Sequence, residues 1–285
     1  MGALAWNRVP EGVRDGVEAR LGARVLEAVD LDGGHSEGAA ARLRLAGGRD
    51  VFVKAAADPA VRDFHRREAA VAARLPAAVP SPALLFAFDD GPWAVLVFEF
   101  VPALPPAPED LPRVLNAVTA MAAALTPAPV RPATAPRLGG FAELAAADLE
   151  PVSPWAAAHL GDLVALESSA DRSGDTLLHG DLYLFNALVA PGRTYIVDWA
   201  HAWVGPRYGD ALMLMAGSPD AAALCAANPL TRELPAPTID AYLAAHAGFL
   251  LRLALRAANP AVAATATSLG RASLRWLARR PYSAT

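Results

Sequence analysis

Cysteine and lysine each occur once in this 285-residue chain. The single cysteine, Cys225, excludes an internal disulfide framework and a cysteine-built zinc cluster, and its Ala-Leu-Cys-Ala-Ala setting reads as a buried structural thiol. No Gly-x-x-x-x-Gly-Lys-Ser/Thr stretch is present, which excludes the common phosphate loop. Excess positive charge is missing too. The net charge is −4 and the pI near 5.9, so there is no electrostatic case for a nucleic-acid partner. The longest apolar segment, 241–258, is interrupted by His246, Arg252 and Arg256, so no membrane span is expected. The first residues lack a basic start followed by an apolar core, so the expectation is a cytoplasmic chain without a secretory leader. What is present, 54% hydrophobic and 19% charged residues, is enough for one large globular domain or two lobes.

The lone lysine, Lys54, stands among 25 basic residues that are otherwise all arginine. Two readings stay open: a chance survivor of a compositional bias, or a place where a compact ammonium is required and a guanidinium fork does not fit. Lys54 ends a strand pattern, Asp50-Val-Phe-Val-Lys54, which follows a strand over 39–45 and a Gly47-Gly48 turn. Before these lie a short helix and a strand within 11–29 and a glycine-rich turn, Asp32-Gly-Gly-His-Ser-Glu-Gly38. Residues 61–75 repeat with helical spacing, Phe64, Val71, Ala72 and Leu75 sharing one face with Glu68 in its middle. An acid on a buried stripe costs several kcal/mol, as an order of magnitude, unless a cation meets it. Glu68 therefore either pairs with Lys54 or sits solvated at the rim.

A hairpin pattern over 84–101 turns at Asp89-Asp90-Gly91 and runs into a proline-dense stretch, 102–112. That stretch marks a boundary between 1–101, mostly strand with one helix, and 102–285, mostly helix. In the second part, helices are expected over 111–125, after the Ser153-Pro154 and Ser218-Pro219 cap signatures, over 239–258 and over 261–279. Between them lies Leu177-Leu-His179-Gly-Asp181-Leu-Tyr-Leu-Phe-Asn186, followed by a Pro191-Gly192 turn and Tyr195-Ile-Val-Asp198-Trp199. Asp181, Asn186 and Asp198 are oxygen-bearing side chains set among apolar runs. They suit one proton acceptor and a site for a hard cation.

His179-Gly180-Asp181-x-x-x-x-Asn186, with Ile196-Val197-Asp198-Trp199 and Gly205-Pro-Arg-Tyr-Gly-Asp210 after it, resembles the catalytic loop and metal-binding aspartate of the aminoglycoside phosphotransferase family, part of the protein-kinase-like superfamily. The resemblance spans roughly residues 20 to 215. It implies an α+β fold of two lobes, a small mostly-β N-lobe with one key helix and a larger mostly helical C-lobe. It implies a small-molecule kinase that moves the γ-phosphate of ATP, with GTP as the alternative nucleotide, to a hydroxyl acceptor with Mg²⁺. By the same resemblance Asp181 receives or orients the hydroxyl proton, Asn186 and Asp198 hold Mg²⁺, and Lys54, oriented by Glu68, meets the α- and β-phosphates. Glu99 and Val101 bind the adenine edge through their backbone, Leu188 floors the pocket, and Ser36 contributes from the glycine turn. His179 and Asp210 support the loop, and ATP lies between the lobes. Trp199-Ala200 stands where protein kinases have Phe-Gly, which argues against their activation switch. A nucleotide-binding pseudokinase with a regulatory role is the alternative.

From 241 to 285 the chain has no acid and six arginines, at 252, 256, 271, 275, 279 and 280. Either they make the acceptor side unfit for a polycation, so that the acceptor is neutral or anionic, or they are solvated helix faces.

Overall fold

A computed structural model describes residues 4–31 and 38–280. Helix α1 (Glu11–Leu21) stops at Gly22, whose left-handed φ of 64° closes the helix end. Strands β1 (Val25–Asp30), β2 (Ala39–Leu45) and β3 (Asp50–Ala56) follow. In β2, Ala39, Ala41, Leu43 and Leu45 are buried and the residues between them are not, the period-two pattern of a half-buried strand. Helix α2 (Pro59–Ala72) starts where Asp58 accepts hydrogen bonds from the Ala60 and Val61 amides, with Pro59 in the first turn. Its buried residues are Val61, His65, Glu68 and Val71. The expected stripe is thus rotated: His65 and not Phe64 is buried, and Leu75 lies beyond the helix end. Strands β4 (Leu84–Asp90) and β5 (Trp93–Glu99) complete an antiparallel sheet of order β1-β2-β3-β5-β4.

Helix α3 (Leu111–Ala124) buries Leu111, Leu115 and Val118 as its spacing requires. Helix α4 (Pro154–Ala158) is capped by Ser153, which accepts from the Ala156 amide, and α5 (Leu160–Ser168) follows. Strand β6 (Thr176–Leu178) precedes β7 (Ala187–Ala190) and β8 (Arg193–Ile196), which turn at Gly192 (φ 73°). Strand β9 (Trp203–Gly205) returns to pair with β6. Helix α6 (Gly209–Ala216) is buried along its whole length. Helix α7 (Ala221–Ala227) begins after Asp220, so Ser218-Pro219 is not its cap; the Ser218 hydroxyl accepts from the Asp220 amide within the preceding turn. Helices α8 (Ala236–Arg256) and α9 (Pro260–Ala278) pack on each other, and Asn259 caps α9 by accepting from the Ala261 amide. Helix α8 is long and apolar enough to cross a membrane, but two-thirds of its apolar window (67%) is buried inside the protein.

The chain forms an antiparallel β-sheet N-lobe and a helical C-lobe. Its compact units are Met1–Pro105 with Leu188–Ala202, and Pro106–Ala187 with Trp203–Thr285. In the first, Val13 and Val17 of α1 share one buried apolar core with Ala41, Leu43, Val51 and Val53 of the sheet. Leu104 bridges Val189, which ties the β7–β8 hairpin to the chain leaving the sheet. In the second, Glu167 of α5, nearly fully buried, accepts from the amides of Gly140, Phe141 and Ala142 at 2.8 to 2.9 Å. Gly140 approaches α8 so closely that a Cβ there would lie 2.4 Å from the Gly248 carbonyl, which is why this contact needs glycine.

Candidate functional site

Lys54 lies on the face of β3 opposite the one whose Val51, Val53 and Ala55 join the sheet core. There its Nζ stands 2.9 Å from both carboxylate oxygens of Glu68. The solvated-rim reading of Glu68 is therefore set aside: its side chain is 4% exposed. Asp198 Oδ1 lies 3.5 Å from the same ammonium, with half of its own side chain exposed. Burial works against the charge on Lys54, but the Asp198 and Glu68 carboxylates outweigh it and raise its pKa above the usual lysine range. Burial pushes Glu68 up to about 7 against the pull of Lys54, and the negative charge of Asp198 adds to the rise. One turn back on α2, His65 is held neutral. Burial, with the Lys54 cation second, takes it down to about 4, and its Nδ1 lies 3.4 Å from the Ala94 carbonyl oxygen.

Asp198 is carried by the backbone leaving β8 in a left-handed conformation, φ 69° and ψ 65°, the one positive φ outside glycine among the described residues. Such a conformation costs a non-glycine residue of order 1–3 kcal/mol and is retained where a side chain must be aimed. Glu99 and Val101 lie in the same unit. The Glu99 amide donates to the Ala83 carbonyl, and the Val101 carbonyl accepts from the Ala103 amide. Leu188 is half-buried on β7. Ser36 and the glycine turn lie outside the described residues.

In the second unit the loop after β6 is held from below. Asp210, buried in the first turn of α6, accepts from the His179 amide at 2.7 Å and from the Gly180 amide at 3.1 Å. Burial raises the Asp210 pKa, with His179 and the two amides opposing. Gly180 takes φ 75°, which turns the chain so that Asp181 leaves the strand direction. The Asp181 amide donates to His179 Nδ1 at 3.3 Å. The Asn186 amide nitrogen donates to the Asp181 carbonyl at 2.7 Å, and its Oδ1 is then the atom suited to a cation.

Four side chains here, Arg137, Tyr183, His246 and Ser273, carry no local signal in the sequence. Arg137, from the irregular segment between α3 and α4, places Nη1 2.7 Å from Asp181 Oδ1. The Tyr183 hydroxyl lies 2.9 Å from His246 Nε2, and His246 Nδ1 lies 3.1 Å from Ser273 Oγ. Burial, with the Arg137 charge second, takes His246 down to about 3, so the ring is neutral and this buried chain braces the loop without a charge. The arginines of the last helices have internal work. Arg252 and Arg256 pair with Glu143, Arg271 donates to the carbonyls of Val152 and Pro151, and Arg280 pairs with Asp240. Four of the six thus have structural partners, and their number is no guide to the acceptor. Among the described residues no cluster of three or more His, Cys, Asp or Glu is disposed to hold a metal. Mg²⁺ does not ask for one, since it takes one or two carboxylates together with substrate phosphates.

Residues 33–258 match the model of a phosphotransferase enzyme family. No significant match is found among curated proteins. Among solved structures, aminoglycoside phosphotransferase APH(4)-Ia in a ternary complex with ADP and hygromycin B superposes with a TM-score of 0.65 at 20% identity, covering 93% of this chain and 98% of that one. A putative fructosamine-3-kinase from Thermobifida fusca gives 0.58 at 24% identity, covering 93% and 99%. A macrolide 2'-phosphotransferase type I gives 0.58 at 18%, covering 91% and 97%.

Proposed function

The chain belongs to the phosphotransferase enzyme family and is a small-molecule kinase; on that premise we propose that it transfers the γ-phosphate of ATP, with GTP as the alternative donor, to a hydroxyl of a small acceptor. The observation that carries this reading is the Lys54–Glu68–Asp198 cluster, a buried ammonium held between two carboxylates. Desolvating such a group is costly, and a protein that only needed packing would place an apolar side chain there. An ammonium kept charged and aimed suits the α- and β-phosphates of a nucleotide.

The remaining residues take roles that follow from their donors. Glu99 O and Val101 N are the backbone groups offered to an adenine edge, since Glu99 N and Val101 O are already engaged. Leu188 supplies apolar surface, and Ser36 a hydroxyl toward phosphate. Asn186 Oδ1 in one unit and the Asp198 carboxylate in the other are each the kind of oxygen donor that Mg²⁺ takes, and such an ion would supply neutralisation of phosphate charge. Asp181 takes the proton of the acceptor hydroxyl as its oxygen attacks phosphorus. His179 and Asp210 keep Asp181 on station through backbone hydrogen bonds. The same reading puts the enzyme in the cytoplasm, where its nucleotide is, with a small hydroxyl compound as its partner and no nucleic acid or membrane.

Asp181→Asn keeps the shape of the loop and removes the acceptor of the proton. We expect kcat to fall by about 10²–10⁴-fold in an ADP-release assay, while Mg²⁺ and an ATP analogue still raise the melting temperature. Unchanged turnover in this variant would remove Asp181 from the reaction, and no nucleotide-dependent stabilisation of the unaltered protein would remove the kinase reading.

A further inference from the structure

Arg137 stands beside Asp181, where the proposed reaction has no stated use for a cation. Nη1 is 2.7 Å from Asp181 Oδ1, and the guanidinium carbon lies 4.8 Å from the Phe249 ring centre on α8. Side-chain exposures of 17% for Arg137 and 20% for Asp181 leave the pair open to a small molecule. The backbone on the C-terminal side of Arg137 is pinned. Gly139 donates to the Ala245 carbonyl at 2.6 Å, and the next three amides donate to Glu167. The cation is therefore preset by the fold, with the ring on one side of it and the carboxylate at one corner.

Two consequences follow for the acceptor. A bare carboxylate at Asp181 attracts cations, but paired with Arg137 the local charge is cancelled, so an ammonium-bearing acceptor gains little here. A hydroxyl that gives its proton to Asp181 must come within about 3 Å of that carboxylate, which brings substituents on adjacent carbons within reach of a guanidinium with five donors in a fixed fork. We propose that Arg137 is a specificity-determining residue that binds an oxyanion, carboxylate or phosphate, carried near the phosphorylated hydroxyl. The acceptor is then a hydroxy acid or a sugar phosphate. The proposal rests on the reading of Asp181 as the group receiving the hydroxyl proton. The transfer itself is unaltered: the acceptor oxygen bonds to the γ-phosphorus, the bond to the departing nucleoside diphosphate breaks with its electron pair, and the hydroxyl proton passes to Asp181.

The test uses four compounds on one scaffold: glucose, glucuronate, glucose 6-phosphate and glucosamine. Binding to the full chain loaded with Mg²⁺ and a non-hydrolysable ATP analogue is measured by calorimetry, and ADP release with ATP in parallel. The expected result is tighter binding of one or both anions than of glucose, with glucosamine weakest; the two anions tell carboxylate from phosphate. Arg137→Gln should cut the preference for the anion over glucose by about 10–100-fold, the worth of a charged hydrogen bond, with the loss in KM. Arg137→Lys, which keeps the charge without the fork, should recover part of it and shows that the fold tolerates change at this site. Absence of anion binding, preference for glucosamine, or an equal fall of kcat for every acceptor with KM unchanged overturns the proposal. The last outcome would make Arg137 a positioning residue for Asp181. Failure of the kinase reading shows separately, as no ADP release from any compound together with no stabilisation by nucleotide.

Discussion

Lys54 with Glu68 in the first compact unit and Arg137 with Asp181 in the second each set a cation against a carboxylate, and these two pairs are built in opposite senses. In the first unit Lys54 and Glu68 come from a strand and a helix, and Glu68 is sealed from water. On the proposed reading the carboxylate there is scaffold and the cation does the work. In the second unit Arg137 comes from an irregular segment and Asp181 from a loop, each about a fifth exposed. There the carboxylate is the working group and the cation adjusts what it attracts. The contrast shows how burial divides such pairs: a sealed pair must stay together for the fold, whereas a half-open pair can be shared with a ligand.

The widest test of that contrast is stability. Lys54→Met leaves Glu68 buried without its cation and should cost about 3–5 kcal/mol in urea unfolding at pH 8. The deficit should shrink toward pH 5.5. Burial already pushes Glu68 up to about 7 in the folded protein, above the ordinary glutamate range, so the folded form takes up the proton as pH falls and the unpaired charge is removed. Arg137→Gln leaves a hydrated carboxylate and should cost less than about 1 kcal/mol; similar losses for both variants would break the comparison. Next in size is Glu167→Ala, which strips three amides of their acceptor and should cost about 3 kcal/mol in the same experiment. It should also lower the anion preference by loosening the segment that carries Arg137. The smallest effect is expected at Glu143→Ala, whose pairs with Arg252 and Arg256 are exposed; a loss within about 1 kcal/mol is anticipated, and a larger one would show that exposure alone does not rank these ion pairs.

Much of the fold was legible because the forces that mark it are local. The strands over 39–45 and 50–54, the Ser153-Pro154 cap and the Gly47-Gly48 and Pro191-Gly192 turns rest on interactions over a few residues. The lone Lys54 and the acid on the α2 stripe pointed to each other because an unpaired buried charge is too costly to be left. The rotation of that stripe by one residue, from Phe64 to His65, was not legible, since a 3.6-residue period tolerates either. Ser218-Pro219 misled because the cap signature says which backbone groups can be satisfied, not that a helix must follow at once.

The sequence by itself determined the strand and helix pattern, the loop from His179 to Asn186 and the aspartate at 198. Only the tertiary structure decided that Glu143 takes Arg252 and Arg256, that Glu167 holds the backbone at Gly140, that Asp198 is twisted into a left-handed turn beside Lys54, and that Asp181 has Arg137 for a neighbour. Hydrogen bonds within a turn are set by adjacent residues. The partner of a charge is set by distance through space, and only packing chooses which distant segments share that space.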